Sequence, residues 1–275
     1  MAAGDARPLL GNREEIEAHI AHMKRDGRHI APVLWRGQPA WLKLAVPQPP
    51  AWRYQLLAGA AKLLGQPAMQ AVRPHGGSHG LQVEASRIRA LAAAGLRTPE
   101  LFDESHGWLL MSDLGQATLE SLIRHAAPDE RLVHWQRGAD YILQAHRTGQ
   151  YLSQAFARNF VWSPEAGLGA IDFEDDALAA MPLADAQTRD WLPYCFSTAI
   201  YFEDRLPQLC AAINHALARE APAVRIGVHQ ALRRTAWLRM LRRMPVRLQR
   251  RDVRKTRFFG ELARHCSQSS AHGRP

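Results

Sequence analysis

Cysteine is scarce: Cys195, Cys210 and Cys266 are scattered and odd in number. That usage fits a reducing compartment and argues against a disulfide framework or a zinc site. Long apolar runs are missing as well. No stretch of about 18 uncharged apolar residues occurs, so no transmembrane span is expected. The first seven residues, Met1-Ala2-Ala3-Gly4-Asp5-Ala6-Arg7, lack the apolar core of a signal peptide. A cytoplasmic setting is the expectation. Acids are short in one place only. Residues 225–257 hold eleven Arg and one Lys against the single acid Asp252, a local +11, whereas residues 1–224 sum to −3. The net charge of +9 therefore belongs to one segment. A hydrophobic content of 47% makes disorder an unsuitable description for most of the chain, and 275 residues suffice for one large domain or two lobes.

Periodicity predicts a helix over 13–26, with Ile16, His19, Ile20 and Met23 on one face. A β-hairpin is expected over 30–46, with its turn at Arg36-Gly37-Gln38-Pro39. After the break at Pro47–Pro50, a Leu- and Ala-rich stretch predicts a helix over 54–70, and residues 73–80 read as a Gly/His/Pro loop. A helix over 84–94 stops at Gly95, and two strands follow at 100–102 and 108–112. Beyond that the pattern is mostly helical, over 118–125, 129–148, 185–204, 206–219, 225–243 and 247–266. It is interrupted by a loop at 149–158 and by strands at 160–162 and 170–173. A strand-rich first part followed by a helix-rich second part predicts an α+β protein. The last nine residues, 267–275, read as disordered.

Four residues have the types and order of a nucleotide–metal apparatus. Lys43 lies mid-strand between Leu42 and Leu44; it reads either as an edge-strand charge facing solvent or as a cation that reaches phosphates. Glu84 opens a helix, where an acid also suits the helix dipole. Asn159 precedes a strand, and thirteen residues later Asp172 stands in Gly169-Ala170-Ile171-Asp172-Phe173-Glu174-Asp175. Strand Lys, helix Glu, then Asn and Asp is the order of the ATP and magnesium groups in protein-kinase-like enzymes. Met111-Ser112-Asp113-Leu114-Gly115 ends a strand and leads to a helix, like a hinge whose backbone groups bond an adenine. Met111 and Asp113 are the candidate residues there.

The segment from Leu143 to Val161, with His146-Arg147-Thr148-Gly149 and then Asn159-Phe160-Val161, aligns without a gap to a kinase helix, catalytic loop and strand. Over roughly residues 15–215 the chain resembles the bacterial kinase-like proteins related to the lipopolysaccharide-core (Kdo and heptose) kinases and to the Rio-type kinases. The resemblance implies a bilobal protein-kinase-like fold. Its small β-rich N-lobe would cover 1–112 and its helical C-lobe 113–266. It also implies ATP between the lobes, Mg2+ held by Asn159 and Asp172, and a Lys43–Glu84 ion pair. The partners expected are a nucleotide and a hydroxyl-bearing acceptor of glycolipid or other type; the location expected is cytoplasmic, or peripheral at the inner membrane where the basic segment 225–257 meets lipid.

The chain departs from that family at the point of chemistry. Leu152-Ser153-Gln154 stands where His-x-Asp is expected, and the amide of Gln154 cannot act as a base near neutral pH. Phe156 takes the place of a lysine that touches the transferred phosphate, and no Gly-x-Gly-x-x-Gly precedes Lys43. Glu174 and Asp175 read either as metal or proton-transfer groups or as solvated turn acids. His75-Gly76-Gly77-Ser78-His79 reads as a polar loop rather than a metal site, and its glycines could help a loop fold over the nucleotide. The basic segment 225–257 has three readings: a solvated helix face, contact with an anionic membrane surface, or contact with nucleic acid, for which no recognition motif is readable. Two functions are consistent with these residues: a phosphotransferase that works without the usual base, and a nucleotide-binding pseudokinase.

Overall fold

The computed structural model describes residues 7–47, 76–243 and 251–272. The helix expected over 54–70 and the start, at residue 247, of the last expected helix lie outside these residues. The protein is of the α+β class. A five-stranded sheet is built by β1 (Leu9–Leu10), β2 (Ile30–Trp35), β3 (Gln38–Leu44), β4 (Leu101–Ser105) and β5 (Trp108–Ser112), in the order β1-β2-β3-β5-β4. β1 runs parallel to β2 and the other pairings are antiparallel.

Helix α1 (Arg13–Arg25) starts where the Asn12 side chain accepts from Glu15 N at 3.0 Å and Glu15 reaches back to Gly11 N at 2.6 Å. This reciprocal cap satisfies two amides that a helix start leaves open. The β2–β3 turn is tighter than expected, with two residues, Arg36 (φ 48°) and Gly37 (φ 82°), both left-handed. That geometry matches the twist of paired strands and suits glycine at its second position. β3 then alternates. Ala40, Leu42 and Leu44 face α1 and join Ile16, Ile20, Met23, Trp108 and Leu110 in one core, and Trp41 and Lys43 point to the other face. β3 lies between β2 and β5, so Lys43 is not on an edge strand.

The far face of the sheet is covered by α2 (Gly77–Ala93), through Leu81 and Ala85 against Leu109 and Met111. This helix begins seven residues before its expected start, which corrects the loop reading of 77–80. Gly77, at φ 66° with its amide on Val46 O at 2.8 Å, serves as a helix entry where the sequence suggested a breaker. The second half of α2 leaves the sheet. Ile88 and Leu91 are buried in the large helical core, and Arg87 donates to Tyr151 O at 2.6 Å while stacking on the Tyr151 ring.

A second, three-stranded sheet holds β6 (Ala117–Thr118), β7 (Phe160–Ser163) and β8 (Gly167–Ala170). The strand expected over 170–173 is therefore displaced upstream. Ile171 N turns to Asn159 O at 2.9 Å and Asp172 adopts φ 72°, a conformation a strand does not accommodate. Arg97 ties this sheet to the segment before it, donating to Leu114 O at 2.6 Å and Gly167 O at 3.0 Å.

The rest is helical: α3 (Leu119–His125), α4 (Arg131–Arg147), α5 (Leu183–Thr198), α6 (Leu206–Leu217), α7 (Pro222–Thr235) and α8 (Arg251–His272). Trp135, Trp191, Tyr194, Phe202 and Ile213 fill its core. Two expected helices end early in tighter 3-10 turns, at Ala199–Phe202 and Ala236–Arg243. Gly260 of α8 is where the second of these turns packs, since any Cβ there would collide with the backbone of Leu238 and Arg239. The tail expected to be disordered from residue 267 is a continuation of α8 through His272, anchored by buried Phe258, Phe259, Leu262, Ala263 and Cys266. Among the described residues no helix is long and apolar enough to cross a membrane.

Candidate functional site

Lys43 enters the site because strand alternation sends it away from α1, toward α2. One helical turn beyond Leu81, Glu84 meets it: Nζ lies 2.8 Å from Glu84 Oε2. Glu84 is 2% exposed. Lys43 also lies 2.6 Å from Glu174 Oε1 and 3.6 Å from Asp172 Oδ1. Burial alone would push the ammonium down, but Glu84, Asp172 and Glu174 together hold it well above the usual lysine range, so it stays charged. Burial pushes the Glu84 carboxyl up, against the pull of Lys43.

Asn159 and Asp172 converge beside this cluster. Asn159 Nδ2 donates to Asp172 Oδ2 at 3.2 Å and to Gln154 O at 2.9 Å. With its nitrogen so engaged, the side-chain oxygen Oδ1 is the end left to act as a ligand or acceptor. Among the described residues, three non-glycine residues have positive φ; one is in the β2–β3 turn and the others, Ser153 (φ 70°) and Asp172 (φ 72°), belong to this site. Left-handed backbone at such positions costs energy and persists where the surroundings fix it. Here Ser153 Oγ donates to Asp175 O at 2.8 Å and Leu152 N donates to Asp190 Oδ2 at 2.7 Å.

These polar groups stand at one end of a cleft of about 450 Å³. Lys43, Glu84, Asn159 and Asp172 line that end, and Ile30, Trp41, Ile88, Met111, Leu114 and Ile171 supply apolar walls. The size falls within the range of small-molecule sites. The turn after β5 also lines the cleft. Ser112 N is taken by Glu100 O, Asp113 N by Pro39 O and Leu114 O by Arg97. Among the described residues the Asp113 carbonyl and the Leu114 amide have no hydrogen-bond partner. They form an adjacent acceptor and donor at the cleft. The Asp113 side chain is occupied elsewhere, by Arg7 at 2.7 Å and by Gly115 N at 3.0 Å.

The remaining sequence candidates divide. Gln154 is half-buried, holds Asn159 through its backbone oxygen and is not among the residues lining the cleft. Phe156 is covered by the Arg158 guanidinium. The solvated-turn reading of Glu174 and Asp175 is corrected for both. Glu174 grips Lys43. Asp175 is 3% exposed and burial pushes its carboxyl up to about 6, with Arg189 at 3.1 Å pulling the other way. Part of the basic segment is also corrected. Arg254 reaches Glu203 at 3.4 Å, Lys255 reaches Glu120 at 3.0 Å and Arg257 reaches Glu261 at 2.9 Å, so these charges are partnered rather than bare.

A second charge cluster was not foreseen. His146, at the end of α4, places Nδ1 2.7 Å from Glu220 Oε1 and Nε2 3.2 Å from Asp190 Oδ2. Glu220 also accepts from Trp191 Nε1 at 2.8 Å, and Gln187 donates to Gln150 O at 2.9 Å. Burial would lower the imidazole, but Asp190 and Glu220 overcome it and raise His146 to about 9. This cluster fixes the start of the 150–158 loop. An acid beside Trp191 in an apolar helix was the available hint.

No set of three or more His, Cys, Asp or Glu side chains among the described residues is placed to hold a metal alone. Asn159 and Asp172 supply two oxygen donors, which fits a hard cation whose other ligands come from phosphate and water. No protein-family model matches the chain, and no curated protein matches it.

Proposed function

We propose that the protein is an ATP-dependent phosphotransferase with a bilobal protein-kinase-like fold, acting on a hydroxyl acceptor. The observation that carries this reading is the meeting of Lys43, Glu84, Asn159 and Asp172, from four separate stretches of the chain, in an otherwise largely apolar cleft. On this reading the sheet and α2 form the smaller lobe and the helices after Gly115 the larger one. The apolar walls receive the adenine, whose edge meets the Asp113 carbonyl and Leu114 amide. Lys43, aimed by Glu84, binds phosphate oxygens. Asn159 Oδ1 and the Asp172 carboxylate hold Mg2+, which neutralises phosphate charge when bound. The likeness to lipopolysaccharide-core kinases supports a glycolipid hydroxyl as acceptor.

Gln154 favours a second reading, a nucleotide-binding pseudokinase. A general base contributes about 10²–10⁴-fold, so its loss leaves phosphoryl transfer slow, because positioning and metal electrostatics supply the rest. Two measurements decide. Magnesium-dependent ATP affinity should fall at least about tenfold in Asp172→Asn, a substitution that tolerates the left-handed backbone. Unchanged affinity defeats both readings. Gln154→Asp should raise ATP turnover by about tenfold or more, because it restores a carboxylate at the position that the resemblance assigns to the base. Bound nucleotide with no gain in turnover selects the pseudokinase.

A further inference from the structure

Between Pro222 and Arg243 the chain has six arginines and no Asp or Glu. The 3-10 turns at Ala236–Arg243 sort these residues by side. With three residues per turn, side chains at i and i+3 eclipse. One row is Leu238 and Leu241, half-buried, with Leu238 against the helical core. A second row is Trp237, Met240 and Arg243. Trp237 is 54% exposed and Met240 48%. Arg233, Arg242 and Arg243 are exposed and make no ion pair among the described residues. The segment cannot rotate to hide the row, because its backbone lies directly on Gly260 of α8.

We infer that this row is a docking surface for an anionic phospholipid bilayer. An amphipathic element that presents Trp beside arginines and no acid lies in the headgroup layer, its apolar side chains inserted and its cations on lipid phosphate. Charge complementarity selects an anionic surface. The Trp237–Met240 pair selects lipid over nucleic acid, since Met240 offers a base neither stacking nor hydrogen bonding. The inference stands apart from the phosphotransfer reading and uses none of its residues.

The test is co-sedimentation of the whole chain with vesicles of phosphatidylcholine alone or mixed equally with phosphatidylglycerol. Binding is expected to the mixed vesicles only, and to weaken as salt rises past about 0.15 M. Trp237→Ser with Met240→Ser should lower the partition coefficient by more than about tenfold. Arg242→Glu with Arg243→Glu should lower it about tenfold or more. All four residues are exposed, so melting curves should match wild type and separate lost binding from lost folding. Equal binding to both vesicles, no binding at low salt, unaltered partition in both variants, or tighter binding to RNA than to the mixed vesicles overturns the inference.

Discussion

Among the described residues, the clusters at Lys43 and at His146 each set one cation against several carboxylates, and they differ in their access to water. At Lys43, three acids surround one ammonium, and two of them, Asp172 and Glu174, keep 31% and 33% of their side-chain surface exposed. At His146, two acids surround one imidazolium and all three side chains are at most 3% exposed. The open cluster can exchange partners with a ligand. The closed one can only hold structure, and it holds the loop that carries Gln154 and Asn159. Burial, more than charge count, separates a site from a scaffold here.

The comparison predicts opposite phenotypes. Asp190→Ala should strip His146 and Leu152 N of a buried partner and cost about 3–5 kcal/mol in denaturant unfolding. A loss below about 1 kcal/mol would show that the closed cluster is not structural. Next comes pH. The folded His146 titrates at about 9 against an ordinary 6.5. Its contribution is therefore full below about 6.5 and is lost as pH rises through about 9, on the order of 3 kcal/mol in all. Unfolding midpoints between those limits should fall in wild type, and the slope should flatten in His146→Gln. Asp172→Asn, the variant with which the proposed nucleotide binding is to be tested, should leave stability within about 1 kcal/mol of wild type. A large destabilisation would make the open cluster a scaffold too. The smallest effect is Glu174→Gln: with one competitor for Lys43 removed, ATP affinity should rise about threefold, as titration calorimetry would register. Weaker binding instead would make Glu174 a ligand of the metal.

The open cluster was largely legible in the sequence and the closed one was not. Lys43 and Glu84 each sit in a strong local pattern, an alternating strand and a Gly-terminated helix, and Asn159 and Asp172 flank one short hairpin. Their residue types already point to phosphate and metal. Asp190 and Glu220 reach His146 across 44 and 74 residues, a separation no local period encodes. The same holds for Lys255, which finds Glu120 across 135 residues and so is not the bare charge its neighbours suggested. Glycines misled at 76–77, where φ 66° begins a helix, and the left-handed turn at Asp172 cut short a strand that its apolar neighbours implied. Of the fold, the element types and the α+β class were readable. The 3-10 endings of two helices and the extension of α8 were not, because both depend on what packs against them.

Helix α2 serves two masters mechanically. Leu81 and Ala85 ride on the sheet, whereas Ile88, Leu91 and the Arg87 contact to Tyr151 fasten its other half to the helical body. Glu84 lies on the sheet side of that divide. Any sliding of the sheet against the helical body must then shear α2 within a single turn or stretch the Lys43–Glu84 contact. The helix is a strain gauge mounted across the cleft, and amide exchange over residues 84–88 is where closure around a ligand would be read.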